Sequence, residues 1–207
     1  MRILMSVVLL TAALGAMPPV SSAQDSAQAL SSEAQRQCDL GRRSGDRNAR
    51  LAYFERGQQL AEQALELDER IAAAHFALFC NLGEQLRVDG EIEFTSLFVF
   101  PRVMGALDRT LELDPNHLDA LSSKGTLLVR LPAILGGDPA KGEQMLQQVL
   151  QRDPRAINAR LALARICLDR GNREEAMLLA MEALKLAEEK RRDDLIPEAR
   201  AMLAQVR

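Results

Sequence analysis

The sequence repeats one short segment four times. The copies read A-L-E-L-D-E-R from Ala64, T-L-E-L-D-P-N from Thr110, V-L-Q-R-D-P-R from Val149 and A-L-K-L-A-E-E from Ala183, and their starts lie 46, 39 and 34 residues apart. A period that settles at 34 residues is typical of helix-turn-helix units that stack into a solenoid. Because such arrays present extended surfaces, the repeat favours a binding protein over an enzyme.

The last unit shows the pattern most clearly. Residues 157–168 read I-N-A-R-L-A-L-A-R-I-C-L, with apolar residues at helical spacing. Gly171 suits a left-handed helix C-cap and Asn172 an N-cap, which predicts a second helix from about residue 173 to 189. Small residues at Ala176, Ala180 and Ala183 predict close approach of two helices.

These features resemble the tetratricopeptide repeat, which has a bulky-small pair, a glycine at the turn and two small residues in the second helix. In this sequence they are Leu163-Ala164, Gly171, Ala176 and Ala183. The resemblance covers roughly residues 29–189, and the first two units are degenerate. It implies an all-α, right-handed α-solenoid of about four helix-turn-helix units. A final helix within residues 191–207 is expected to cap the last unit, with dimerisation as its alternative role.

Two units are longer than the usual 34 residues. One insertion lies between Gly90 and Pro101, and the other spans Leu131 to Pro139. Insertions in repeat proteins tend to form loops on one face, often the binding face. In the second insertion, Pro132 is expected to stop a helix, while Asp138-Pro139 suits an N-cap followed by proline at the first helical position.

The N-terminal segment has the features of an export signal. A short basic start at Arg2 precedes a mostly apolar stretch, and Ser21-Ser22-Ala23 fits the small-x-small cleavage rule. We therefore expect residues 1–23 to be a signal peptide, residues 24–190 the repeat domain, and the location the periplasm. A membrane anchor is the weaker alternative, since Gly15 and Pro18-Pro19 interrupt the apolar stretch.

Composition narrows the class of partner. The net charge is −3, aromatic residues make up 3% of the chain and tryptophan is absent. Without a basic stripe, nucleic acid is not an expected partner. No further segment predicts a membrane span after signal cleavage. A protein partner in the cell envelope is expected, and homo-oligomerisation stays open.

No residue set predicts catalysis, a cofactor or a metal. His75 and His117 lack cysteine or carboxylate neighbours at ligand spacing. The expectation is therefore a non-enzymatic protein. Cys38 and Cys80 align on adjacent first helices of the repeats, so a disulfide between them is one hypothesis and free thiols are the other. Cys167 is expected to be a small buried residue.

First helices of such units line a concave groove, so the repeat alignment also yields candidate binding residues. Gln35, Arg42 and Glu84 occupy inward positions. The other inward positions are the candidates for partner contact, and they are Phe76, Asp119, Ser122, Thr126, Asn158 and Arg165. The insertion adds Phe94, Leu97, Phe98 and Phe100. These apolar residues either fill the core of the overlong second unit or form an exposed patch that recruits a partner.

The exported setting and the L-P-A-I-L-G-G-D-P-A-K-G turn resemble bacterial repeat proteins related to the T component of tripartite ATP-independent periplasmic transporters. That group of repeat proteins is also similar to the helical domain of regulator-of-microtubule-dynamics proteins. With an enzyme disfavoured, two functions fit the sequence as a whole. The first is a periplasmic adaptor that binds a protein segment through its concave groove and the Phe94–Phe100 insertion. The second is an accessory of a solute transport system that holds or passes a small ligand.

Overall fold

The computed structural model describes residues 20–89 and 94–206, with side chains for residues 22–88 and 99–206. The signal peptide prediction for residues 1–23 therefore falls almost entirely outside the described residues. Within them the chain forms nine α-helices and one short 3₁₀ turn. They are α1 (Val20–Arg43), α2 (Arg47–Leu67), α3 (Ala72–Asp89), α4 (Phe94–Leu113), α5 (Leu118–Arg130), the 3₁₀ turn (Ala133–Leu135), α6 (Pro139–Arg152), α7 (Ile157–Asp169), α8 (Arg173–Glu189) and α9 (Ile196–Val206).

The helices pack as four antiparallel pairs followed by a single helix. The pairs are α1/α2, α3/α4, α5/α6 and α7/α8, and α9 packs on α8 and α7. First helices of neighbouring pairs also contact each other, as α1 does with α3 and α5 with α7. The prediction of an all-α solenoid with a C-terminal capping helix is confirmed.

The repeated segment forms the end of each second helix and the turn that follows. In three copies an aspartate makes the same local bond: the side-chain oxygen of Asp68 accepts from the amide of Arg70, that of Asp114 from Asn116, and that of Asp153 from Arg155. Such a bond replaces a backbone turn and satisfies an amide that the helix cannot. The fourth copy has Ala187 at this position, and the chain there turns at Arg191 with a φ of 50°.

Helices within the C-terminal pairs approach through very small residues. A Cβ atom added to Gly125 would lie 2.9 Å from the carbonyl oxygen of Gly142. A Cβ atom added to Gly142 would lie 2.6 Å from the carbonyl oxygen of Gly125. Ala176, Ala180 and Ala183 are fully buried on α8, as the sequence predicts for a close helix contact. The lack of side-chain bulk is what lets α5 and α6 touch backbone to backbone.

The two insertions have different structures. Residues 131–139 end one helix and begin the next, as expected, because α5 ends before Leu131 and Gly136 takes a φ of 84°. Asp138 then caps α6, its side chain accepting from the amide of Lys141 at 3.0 Å. The first insertion was expected to form a loop, and from Phe94 onwards this expectation is wrong. Residues 94–100 extend α4 at its N-terminal end, so that Pro101 lies inside the helix and removes one backbone hydrogen bond there.

The helix α9 closes the array as the sequence predicts. Ala199, Met202 and Val206 are buried against the last pair, while Glu198 and Arg200 are exposed. In the turn before this helix, Asp194 pairs with Arg192, its two carboxylate oxygens accepting from the guanidinium at 2.8 and 2.7 Å. The polar outer face keeps the end of the solenoid compatible with water.

Candidate functional site

The concave side of the solenoid contains a groove with a volume of about 780 Å³. Its walls come from the inner faces of α3, α5 and α7, with α4 on one side and the α8–α9 turn and α9 on the other. The apolar part of the lining consists of Phe79, Leu86, Phe100, Val103, Met104, Leu127, Val129, Leu161, Ala162, Leu195 and Met202. First helices supply most of the lining, and the second helices α2 and α4 add Arg50 and the α4 residues Phe100, Val103 and Met104.

Several of the residues proposed from the sequence lie on this groove. Phe100, Ser122, Thr126, Asn158 and Arg165 all contribute to its lining. They come from α4, α5 and α7, so side chains of three helices meet on one groove. Their role in binding stays a prediction.

Other residues proposed from the sequence do not lie on the groove. Phe76 is only 7% exposed, and its expected place on an open surface is wrong: it packs with Leu107 and Ala120, and its ring centroid lies 4.6 Å from that of His117. Asp119 is exposed on the first turn of α5 but is not part of the groove lining. Phe94, Leu97 and Phe98 belong to the first turns of α4, and their side chains lie outside the described residues.

Arginine dominates the charge of the groove. Among the described residues, its lining contains Arg42, Arg50, Arg87, Arg130, Arg165 and Arg192 against Glu84, Asp194 and Glu198. The Glu84 side chain is buried and is shared by two cations: its Oε1 accepts from Nε of Arg42 at 2.8 Å and from Nη1 of Arg87 at 3.1 Å. The groove is therefore locally positive, although the whole chain carries a net charge of −3.

The α8–α9 turn brings a second ion pair to this site. Burial would raise the pKa of Asp194, but its hydrogen bond with Arg192 and the positive charges of Arg192 and Arg42 outweigh burial and hold that pKa below its usual value. The same hydrogen bond raises the pKa of Arg192. Arg42 of α1 and Asp194 of the α8–α9 turn both line the groove, so the first and the last parts of the described chain contribute to one site.

A disulfide lies at the N-terminal end of the groove. Cys38 of α1 and Cys80 of α3 are bonded, with their Cα atoms 6.2 Å apart and 42 residues of sequence separation. Both residues are buried, and Cys80 contributes to the groove lining. The bond fastens the first helices of two consecutive pairs to each other.

Cys167 differs from the expectation of a fully buried residue. It is a free, half-buried thiol that lines a second pocket, of about 430 Å³, between α6, α7 and α8. Burial raises the pKa of this thiol, and the nearby Glu175 raises it further. The protonated form is the less reactive one, so the pocket does not contain an activated nucleophile.

The histidines have structural roles. Nδ1 of His117 accepts from the amide of Ala120 at 3.3 Å and so caps α5, and Nε2 of His75 lies 2.9 Å from the carbonyl oxygen of Glu69. Within the part of the chain that the structure describes, no cluster of three or more histidine, cysteine or acidic residues has the geometry of a metal site. No helix of the described ranges is long and apolar enough to span a membrane.

Sequence reasoning missed the contribution of the C-terminal turn. Arg192 and Asp194 belong to the polar run R-R-D-D, which reads as an ordinary solvated connection. Nothing in that run indicates that it returns to the groove, because the return depends on the curvature accumulated over all the pairs. Arg130 and Glu198 were missed for the same reason, and their side chains approach to 3.9 Å across the groove.

Comparison with known proteins gives a family match over part of the chain. The sequence profile of the tetratricopeptide repeat family matches residues 133–206, from the 3₁₀ turn through α9. The chain is similar to the crystal structure of YrrB, described as a TPR protein with an unusual peptide-binding site. The two sequences are 18% identical, the match covers 75% of this chain and 77% of that chain, and the TM-score is 0.42. No curated protein matches the sequence.

Proposed function

We propose that the protein is an exported adaptor that holds a segment of a partner protein in its concave groove and performs no chemistry. The observation that carries this proposal is the groove itself, which is open, continuous along three first helices and lined by both apolar and charged side chains. Peptides bind in such clefts by placing apolar side chains in a groove while charged groups fix their register. A rigid helical array suits this role, since little ordering of the binding surface is needed.

Two observations support a location outside the cytoplasm. The N-terminal sequence fits a cleavable signal peptide, and the Cys38–Cys80 disulfide is of a kind that persists in oxidising compartments. We propose the periplasm as that compartment and a cell-envelope protein as the partner. The free Cys167 is compatible with this location because its raised pKa slows oxidation.

The test is site-specific photo-crosslinking in cells that export the protein. A photoactivatable phenylalanine analogue replaces Phe100, which lines the groove, and in a control variant it replaces Leu178, which is 60% exposed on α8 and does not line the groove. Adducts to one protein from position 100 and not from position 178 are the expected result. Adducts from position 178 alone would contradict binding in the groove.

The alternative, an accessory that holds a small solute for a transport system, rests on the size of the groove. A volume of about 780 Å³ falls within the usual range of small-molecule sites. Native mass spectrometry of protein purified from the periplasm separates the two functions. A co-purifying small molecule that is absent from the Phe100→Asp variant would favour the solute over the protein partner.

A further inference from the structure

One buried hydroxyl in the groove lacks a partner. Ser122 on α5 is 6% exposed, lines the groove, and its Oγ makes no hydrogen bond. A buried polar atom without a partner destabilises the folded state, so such atoms are rare in folded proteins. The position can be explained if the missing partner is a ligand that occupies the groove.

Other hydroxyls of this chain show that the missing bond is particular to Ser122. Ser31, Thr110 and Thr126 each donate to the carbonyl oxygen four residues earlier, at 2.7, 2.9 and 2.8 Å. Thr126 lies one turn further along the same helix and on the same groove, so the helix itself does not prevent this bond. The hydroxyl of Ser122 is left for an external group.

In the part of the chain that the structure describes, the positive charges of two arginines in the groove are not balanced by an acidic partner. Nε of Arg50 is buried without a partner, and Arg165 donates only to the neutral amide oxygen of Gln205, at 2.6 Å. Neither has an ion pair within the described ranges, in contrast to Arg42, Arg87, Arg130 and Arg192. Guanidinium groups and a hydroxyl are all donors, so their shared complement is an acceptor that carries negative charge.

We infer that the groove takes an acidic peptide segment, whose carboxylates are bound by the hydroxyl of Ser122 and by the uncompensated guanidinium groups of Arg50 and Arg165. This inference rests on the proposed function and adds the chemistry of the partner. The apolar residues Phe100, Met104 and Leu161 accept the side chains that lie between the carboxylates. The positive groove on an otherwise acidic protein also steers such a segment towards its binding surface.

The first experiment measures binding of the full exported chain to an array of short peptides of equal length. The array contains three matched sets that share the same apolar residues. The positions between them carry acidic residues in the first set, basic residues in the second and amide residues in the third. Selective binding of the acidic set, weakened by added salt, is the expected result. Preference for the basic set, or equal binding of all three, would overturn the acidic partner but leave the adaptor intact.

Two further outcomes of the array are informative. Absence of binding to every set overturns the acidic segment, and the adaptor itself fails only if photo-crosslinking at position 100 also yields no protein. Free glutamate that competes as well as a whole acidic peptide would indicate a small carboxylate ligand and would overturn the peptide.

A pair of serine variants tests the subsite itself. Ser122→Ala should weaken binding of the acidic set roughly tenfold, because a hydrogen bond to a charged group is lost. The same change should raise Tm by about 2–4 °C, because a buried unpartnered hydroxyl is removed. Arg165→Gln should weaken the same peptides and reduce the salt dependence of binding.

The matched control is Ser31→Ala, which removes an equally buried hydroxyl that does have a partner and lies outside the groove. Peptide affinity should not change in this variant, and its Tm should not rise as in Ser122→Ala. Unchanged affinity of Ser122→Ala for acidic peptides would overturn the subsite, whatever happens to Tm.

Discussion

The first four helices and the last five achieve the same architecture by different contacts. In α5–α9, neighbouring helices approach through glycine and alanine, as at Gly125 with Gly142 and along the buried alanines of α8. In α1–α4, alanines such as Ala34, Ala61 and Ala77 are buried as well, but glycines face larger side chains. The ring of Phe54 fills the space above Gly41, where a Cβ would collide with it.

A buried amide and a disulfide add to these contacts in the N-terminal half. Asn81 is fully buried and donates to the carbonyl oxygens of Ala34 on α1 and Ala77 on α3, at 3.0 and 2.8 Å. The bond between Cys38 and Cys80 joins the same two helices. The match to the tetratricopeptide profile covers residues 133–206, which lie in the C-terminal half. A solenoid can therefore keep its geometry after its repeat pattern has been replaced by individual contacts.

The two halves meet at a limited junction. Packing of α4 on α5 is the principal helix contact across it, and a small core of Phe76, Leu107 and Ala120 fills the space between α3, α4 and α5. First helices contact each other directly on either side of this junction, as α1 with α3 and α5 with α7. This cluster is the apolar core that joins the two halves.

The largest effect is expected from Phe76→Ala at this junction. Removing a buried phenylalanine ring should lower the free energy of unfolding by about 4 kcal/mol, because a cavity remains where three helices meet. Chemical denaturation followed by circular dichroism measures the loss. Hydrogen exchange should show that the two halves then open separately, because the variant weakens the contact that couples them.

Phe100→Ala is the matched control for the junction. Phe100 is a half-buried phenylalanine on the groove, so its loss should affect stability much less and partner binding much more. Equal destabilisation by the two variants would contradict the distinction between a junction residue and a groove residue.

The disulfide provides the next largest effect, confined to the N-terminal half. Replacing both Cys38 and Cys80 with alanine should cost about 3 kcal/mol, since the closed loop restricts the unfolded chain. Hydrogen exchange should rise in α1–α4 before it rises in α5–α9. Cys167→Ala should change stability far less, because that thiol is free and half-buried. Uniform loss of protection along the whole chain would show that the halves are not separable.

How much could be read from the sequence also differs between the halves. Gly171, the alanines of α8 and the cap at Asp138 were predicted because each depends on local chemistry that a short stretch of sequence contains. Phe76 was misplaced because the alignment assumes that α3 faces open space, whereas α5 packs on it. The Arg192–Asp194 pair was missed because its position depends on the curvature of the whole array. Local rules thus predict the helices and their ends, and non-local packing determines which faces stay exposed.

The smallest effect comes from two glycines, one in each half. Gly125→Ala should destabilise the protein by about 2 kcal/mol, because the added methyl group would lie 2.9 Å from the carbonyl oxygen of Gly142 and force α5 away from α6. Gly105→Ala on α4 should instead stabilise it by about 0.5–1 kcal/mol, since the position is helical and exposed, and an added methyl group would meet nothing within 4 Å. Thermal melts of the two variants and of the unchanged chain measure both the expected loss and the expected gain of stability. Destabilisation by both would mean that α4 also needs a glycine contact, and that the two halves are more alike than their packing indicates.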